Sequence, residues 1–216
     1  MAKHHALSSY AKIIGEIAIE WNKIEVRLDG LIYDYLSIEP DVAGFILAQL
    51  GNQTKADLAV FLINKYETNK TAKENALFCI ALINRLRENR NILEHAIPHL
   101  NYDRRYVGTI NKIDKKYDAK TFVAPMTLLQ ELSATMRQAF FYTLQVRMCL
   151  PKNAHNSDDT SWDAKLQDAL IISTSQTRPQ LPDKISPLLP PEALEGDQPP
   201  QRSPRHSKQQ KKLPRK

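Results

Sequence analysis

Glycine is scarce in this 216-residue chain: there are six, and no two form a Gly-x-Gly pair. A Walker loop and a dinucleotide fingerprint both need closely spaced glycines to bring backbone N–H groups against phosphate, so both are excluded. A Gly-x-Ser-x-Gly elbow and a His-Glu-x-x-His pair are also absent, which removes many hydrolase and metalloprotease classes. Cysteine is scarcer still. Cys79 and Cys149 each sit in an apolar pattern of helical period, with no second cysteine or histidine at ligand spacing. They read as buried free thiols of a reducing compartment, with no structural zinc. No uncharged apolar run approaches the ~20 residues a membrane helix needs. The opening MAKHHALSSYAKIIGEIAIEW carries charge throughout, unlike a secretory leader. The expectation is a cytoplasmic protein without a membrane partner.

Charge is unevenly spread. The formal net charge is +6, yet residues 202–216 alone hold Arg202, Arg205, Lys208, Lys211, Lys212, Arg215 and Lys216 and no acid. The rest of the chain is therefore close to neutral, and the basic character belongs to the tail. Two roles fit that tail: capture of RNA or another polyanion by salt-sensitive contacts, or a solubilising extension. It contains no aromatic residue, so base stacking is not expected there.

What is present is helical period. Ile14, Ile17, Trp21, Ile24, Leu28, Leu31 and Tyr35 recur three and four apart, which predicts a long amphipathic helix over 7–37. After Pro40-Asp41, DVAGFILAQL predicts a short, mostly buried helix. A third is expected over 55–67, with Thr54 as N-cap and Leu58, Phe61 and Leu62 inward. A fourth, 71–97, opens on the capping-box pattern Thr71-x-x-Glu74. Its seam is Ala72, Ala76, Cys79, Ile83, Leu86, Arg90, Leu93 and Ile97, and Pro98 closes it. YVGTINKI and AKTFVAP around Asp114 to Asp118 predict a β-hairpin insertion over about 103–124. A fifth helix, 126–149, presents Leu129, Leu132, Met136, Phe140 and Leu144. Residues 151–176 read as a linker with one short docked helix near 159–172. Residues 177–216, rich in proline, glutamine and charge, read as a disordered tail. The fold class is thus all-α: a four- to five-helix up-and-down bundle, residues 1–150, with a small hairpin and a disordered C-terminal tail.

The fourth helix ends unusually, with RENRNILEHAIPH. Asn84, Arg87, Asn91 and His95 follow one another at three- and four-residue spacing and make a polar ribbon beside the apolar seam. Arg90, in the seam itself, lies about 140° round the helix from His95 and meets it only through its long stem or across two copies of the helix. Plainer roles fit these residues too. Arg90 can pair with Glu16, Glu20 or Glu25 of the first helix, and His95 can cap the last carbonyls of its own. Glu94 reads as solvated and Trp21 as core.

Arg90-Asn91-x-x-x-His95 resembles the Arg-polar-x-x-x-His signature of the HEPN superfamily (higher eukaryotes and prokaryotes nucleotide-binding). In that family it lies near the end of a long helix in a four- or five-helix bundle. The first helix, with Glu20-Trp21-Asn22-Lys23-Ile24-Glu25, also resembles that of small bacterial members, and the resemblance covers about 7–150. It implies a metal-independent endoribonuclease with no cofactor, the toxin or effector of a toxin-antitoxin or antiviral system. Arg90, Asn91 and His95 would be catalytic, with Asn84 and Arg87 binding substrate. His95 would move protons at the 2′-hydroxyl or the leaving 5′-oxygen. Arg90 would hold the phosphorane charge, and Asn91 would orient either His95 or a phosphate oxygen. The implied partners are RNA, a second copy of the chain and a cognate antitoxin or regulatory protein. The alternative is a non-catalytic HEPN-like module that binds RNA, a nucleotide or a protein.

Overall fold

The computed structural model describes residues 2–36, 38–94, 96–99, 109–113, 119–150 and 164–185. The chain is all-α, with six helices and one small sheet among these residues. Helices α1 (Ala2–Leu36), α2 (Pro40–Ala48), α3 (Asn52–Tyr66), α4 (Lys70–Glu94) and α5 (Met126–Cys149) alternate in direction. Helix α6 (Ala164–Gln176) packs on α4 and α5. Side-chain pairs fix the directions. Tyr10 Oη donates to Ala124 O (3.0 Å), Arg27 covers the Phe140 ring, and Arg147 makes a bidentate pair with Asp34 (2.7 and 2.8 Å), so α1 and α5 run parallel. Lys55 on Asp29 and the stacked rings of Tyr35 and Tyr66 align α3 with α1. The Cys79–Thr143 contact and the packing of Ala72 with Cys149 set α4 antiparallel to α5.

Six of the seven expected α1 seam residues, Ile17, Trp21, Ile24, Leu28, Leu31 and Tyr35, are buried, while Ile14 is only half-buried and Tyr10 and Ile13 take the seam on at the N-terminal end. Each fully buried aliphatic contributes about 1.5–3 kcal/mol, enough for this one stripe to organise the bundle. Gly30 has a packing role, because a Cβ there would overlap the Arg147 guanidinium that reaches Asp34. Both cysteines are free and buried, against Thr143 and Thr174, and burial pushes the Cys79 thiol up to about 12.

Several local expectations are corrected. Helix α4 is capped by Asn69, whose Oδ1 accepts the Thr71 and Ala72 N–H groups (3.0 Å each), and not by the Thr71 side chain. Helix α3 starts at Asn52, after Gly51, without a side-chain cap. Helix α2 buries only Ala43 and Leu47, leaving Phe45 71% exposed, because no layer among the described residues covers its outer side. Helix α4 stops at Glu94. Strand β1 (Ala96–His99) then pairs antiparallel with β2 (Thr109–Ile113), which pairs with β3 (Ala119–Val123), so the expected hairpin gains a third strand. Ile97 is extended because Pro98 follows it, and Pro98 is tolerated because β1 is an edge strand.

The largest departure is at the C-terminal end. Residues 178–185, read from composition as the start of a disordered tail, lie along α4, with Ile185 in the core. The backbone groups of this segment find partners on α4, an arrangement that composition alone does not register.

Glu67, at the α3–α4 corner, is buried beside Tyr35 and accepts the Asn69 N–H (3.0 Å). Burial raises its carboxyl above the ordinary value of 4.5, against the lowering pull of the Asn69 bond and of Lys73. The folded chain therefore holds this proton more tightly than the unfolded chain does. The resulting stability is complete below about 4.5 and is lost as pH rises through the folded value. Glu67→Gln keeps an acceptor for Asn69 and removes the charge. It is expected to raise the melting temperature at pH 7 and to flatten its pH dependence between 4.5 and 7, read by thermal denaturation across pH.

Candidate functional site

The last three turns of α4 bring Arg87, Arg90 and Asn91 to the flank that faces α1 and the start of α3. Arg90 is half-buried. Its guanidinium lies 5.9 Å from the Trp21 ring, Nη1 donates to Asn91 Oδ1 (3.3 Å), and it forms an ion pair with Glu94 one turn on. The helix turn explains the pairing, since positions four apart stand one above the other. Two of the three plainer partners on α1 are engaged elsewhere. Glu20 pairs with Lys23 (3.0 Å), and Glu25 accepts from Trp21 Nε1 (2.6 Å) and from Asn52 Nδ2. Helix α1 meets Arg90 with an aromatic face.

A continuous chain of contacts results. Arg90 rests on Trp21, Trp21 bonds Glu25, Glu25 bonds Asn52, and the adjoining Gln53 accepts from Arg87. Arg90 Nε, Arg87 Nη1 and Asn84 Oδ1 are buried polar atoms with no hydrogen-bond partner among the described residues. A buried donor without an acceptor costs about 1–3 kcal/mol, so this flank carries two guanidinium N–H groups whose cost the described residues leave uncompensated.

Of the five site residues expected from sequence, Arg90 and Asn91 are in direct contact. Arg87 joins them through Gln53, Asn52, Glu25 and Trp21, and Asn84 lies on the same ribbon two turns back. His95 lies outside the described residues. Sequence reasoning missed Glu25, Asn52 and Gln53 as members of this network. The available signal was the Trp21-x-x-x-Glu25 spacing, together with two amides at a helix start that reads as a cap. Glu94, read as solvated, is the carboxylate on Arg90 and is 41% exposed at its side chain.

Among the described residues, no group of three His, Cys, Asp or Glu side chains is placed to hold a metal ion, and no helix is long and apolar enough to cross a membrane. An open groove of about 640 Å³ lies elsewhere, between α5 and the end of α6, lined by Gln138, Phe141, Tyr142, Gln145 and Arg178. It includes no residue of the α4 ribbon. Compared with protein-family models, curated proteins and solved structures, the chain matches none.

The Arg90–Glu94 pair makes a definite prediction. A part-exposed ion pair contributes about 0.2–1 kcal/mol, and a phosphate that approaches Arg90 must displace the carboxylate. Glu94→Gln is expected to tighten binding of a short single-stranded RNA by about two- to five-fold at low salt, with the difference closing as salt rises, read by fluorescence anisotropy.

Proposed function

We propose that this protein is a HEPN-type endoribonuclease that cleaves RNA by attack of the 2′-hydroxyl on the adjacent phosphate. The observation that carries the reading is the pairing of Arg90 with Asn91 on the last turns of a long bundle helix, where Arg87 and Arg90 each keep a buried N–H without an acceptor among the described residues. Such donors meet phosphate oxygens with charge-assisted hydrogen bonds, and a guanidinium fixed against an indole face stabilises charge as it builds on the phosphorane. Trp21, under Arg90, positions it. His95 supplies the proton transfers, as its residue type suits near-neutral pH. The chain acts as a cytoplasmic homodimer in which two α4 ribbons share a cleft, and a cognate antitoxin or regulatory protein restrains it.

A second reading is a HEPN-like module that holds RNA, a nucleotide or a protein without cutting. The Glu94 carboxylate on Arg90 favours it, because a resting counter-ion suits reversible anion exchange. The experiment that separates the two is incubation of purified full-length protein with a cellular RNA pool in excess EDTA. Fragments with 2′,3′-cyclic phosphate and 5′-hydroxyl ends support the nuclease, and RNA retained intact on the protein supports the module.

A further inference from the structure

Helix α4 is buried on two sides. One stripe, Ala76, Cys79, Ile83, Leu86 and Leu93, enters the bundle, and Ala72 continues it into a small cluster with Cys149 and Ile171. A second stripe runs along its outer side with spacing three, four, three, four: Asn75, Phe78, Leu82, Arg85 and Asn89. Leu82 and Asn75 are fully buried and Asn89 nearly so. At its N-terminal end the stripe meets α6, where Asn75 Nδ2 donates to Ile171 O (3.1 Å) and Asn75 Oδ1 accepts from Ser175 Oγ (3.1 Å), and from there the chain's own segment 178–185 continues the cover. Arg178 donates to Asn75 Oδ1 through Nε and Nη2 (2.9 and 2.6 Å) and lies 5.5 Å from the Phe78 ring centroid. Arg85 Nη1 donates to Pro182 O (3.1 Å). Asn89 donates through Nδ2 to Asp183 O (2.8 Å) and accepts the Ile185 N–H at Oδ1 (3.0 Å). Lys184 pairs with Glu88 (3.0 Å), and Ile185 is buried.

The lengths agree. Fourteen helical residues from Asn75 to Asn89 span about 21 Å, and seven steps of polyproline-like backbone from 178 to 185 span about 22 Å. The segment therefore runs extended and parallel to α4 over its whole length, with Pro179 and Pro182 restricting its free conformations. The bonds from Arg85 and Asn89 go to backbone groups, so they select an extended chain in one direction rather than a side-chain sequence. Side-chain choice is confined to the ends: a cation at Asn75 and Phe78, and an aliphatic side chain in the core beside Asn89.

We propose that the outer stripe of α4 is a peptide-binding groove in which residues 178–185 sit as the chain's own occupant. It accepts in trans a partner segment of the same chemistry: extended, proline-containing, with arginine at its start and a buried aliphatic residue at its end. The proposal is independent of RNA cleavage, since the stripe lies about 100° round α4 from Arg90 and roughly opposite the ribbon of Asn84, Arg87 and Asn91.

The test uses the full chain and a fluorescein-labelled peptide of sequence TRPQLPDKIS. In the wild type the tethered occupant acts at an effective concentration of order millimolar, so micromolar peptide is expected to give no uptake. Ile185→Asp places a charge where the core was and releases the chain's own segment while leaving the groove unchanged. It is expected to bind the peptide saturably, and Ile185→Asp combined with Asn89→Ala is expected to bind at least ten-fold more weakly. An Ile185→Asp protein with native circular dichroism and no uptake overturns the proposal, as does equal uptake by the double variant. If Ile185→Asp fails to fold, a protease site placed between Gln176 and Arg178 of the wild-type sequence replaces it. After cutting, the piece is expected to stay on the bundle in gel filtration and to exchange with labelled peptide. Loss of the piece, or retention without exchange, overturns the proposal.

Discussion

Arg90→Ala and His95→Ala are each expected to lower the rate of RNA cleavage by about 10²-fold or more, without loss of the folded bundle. For Arg90 the figure follows from removal of one fixed donor aimed at developing charge, and for His95 from loss of a general acid or base. The fold should tolerate the arginine change, because Arg90 pairs with a part-exposed Glu94 in its own helix, and its Nε has no partner among the described residues. Truncation then costs about 1 kcal/mol or less. Arg90→Lys separates charge from shape: lysine keeps the positive charge but loses the planar fork, and recovery of only a small part of the rate is expected. Rates read on a defined RNA in EDTA, beside urea melts of the same proteins, check both halves. Full activity in Arg90→Ala would place the chemistry elsewhere, and no cleavage by the wild type would leave the binding-module reading in its place.

Trp21→Ala is expected to have the largest effect on stability, a loss of about 3–5 kcal/mol. The indole is among the largest fully buried side chains in the molecule, and its N–H reaches Glu25 at 2.6 Å. Against a typical total of about 5–15 kcal/mol, such a loss leaves a partly unfolded population at physiological temperature. Trp21→Phe distinguishes the two contributions. It keeps an aromatic face under Arg90 but removes the hydrogen bond to Glu25, which retains Asn52 as a donor. A loss of about 1–2 kcal/mol is expected, with the urea midpoint lowered and its slope unchanged. If Arg90 depends on Trp21 for its placement, Trp21→Phe should bind RNA as the wild type does.

The bundle was legible because hydropathy has a period. The α1 stripe from Ile17 to Tyr35 and the inner stripe of α4 could be read directly. The outer stripe of α4 was not legible, since three of its five members are asparagine or arginine. Asn75 and Asn89 are buried and Arg85 is half-buried, held by the Arg178 guanidinium and by the backbone of the extended segment, partners that hydropathy does not count. The same blindness assigned residues 178–185 to a disordered tail: proline content was visible, but the asparagine partners 90 or more positions away were not. The α4 cap was misplaced by one feature, because Thr71 and Glu74 have the spacing of a capping box while Asn69 makes the bonds. At the site, the adjacency of Arg90 and Asn91 followed from sequence, whereas the Glu94 counter-charge depended on rotamers, and the Glu25–Asn52 link joined two elements whose register no spacing reveals.

The extended segment on α4 also bears on synthesis. Asn89 leaves the ribosome 96 residues before Ile185, an interval of about 5–20 s at ordinary translation rates. During that time the bundle helices can assemble, but the last turns of α4 leave the Asn89 amide without its partners and the place of Ile185 in the core unfilled. The nascent chain therefore has a period in which chaperones compete for the surface that its own C-terminal segment later covers. Chains whose synthesis stops before residue 178 never leave that period, and insolubility of such products would be a direct consequence.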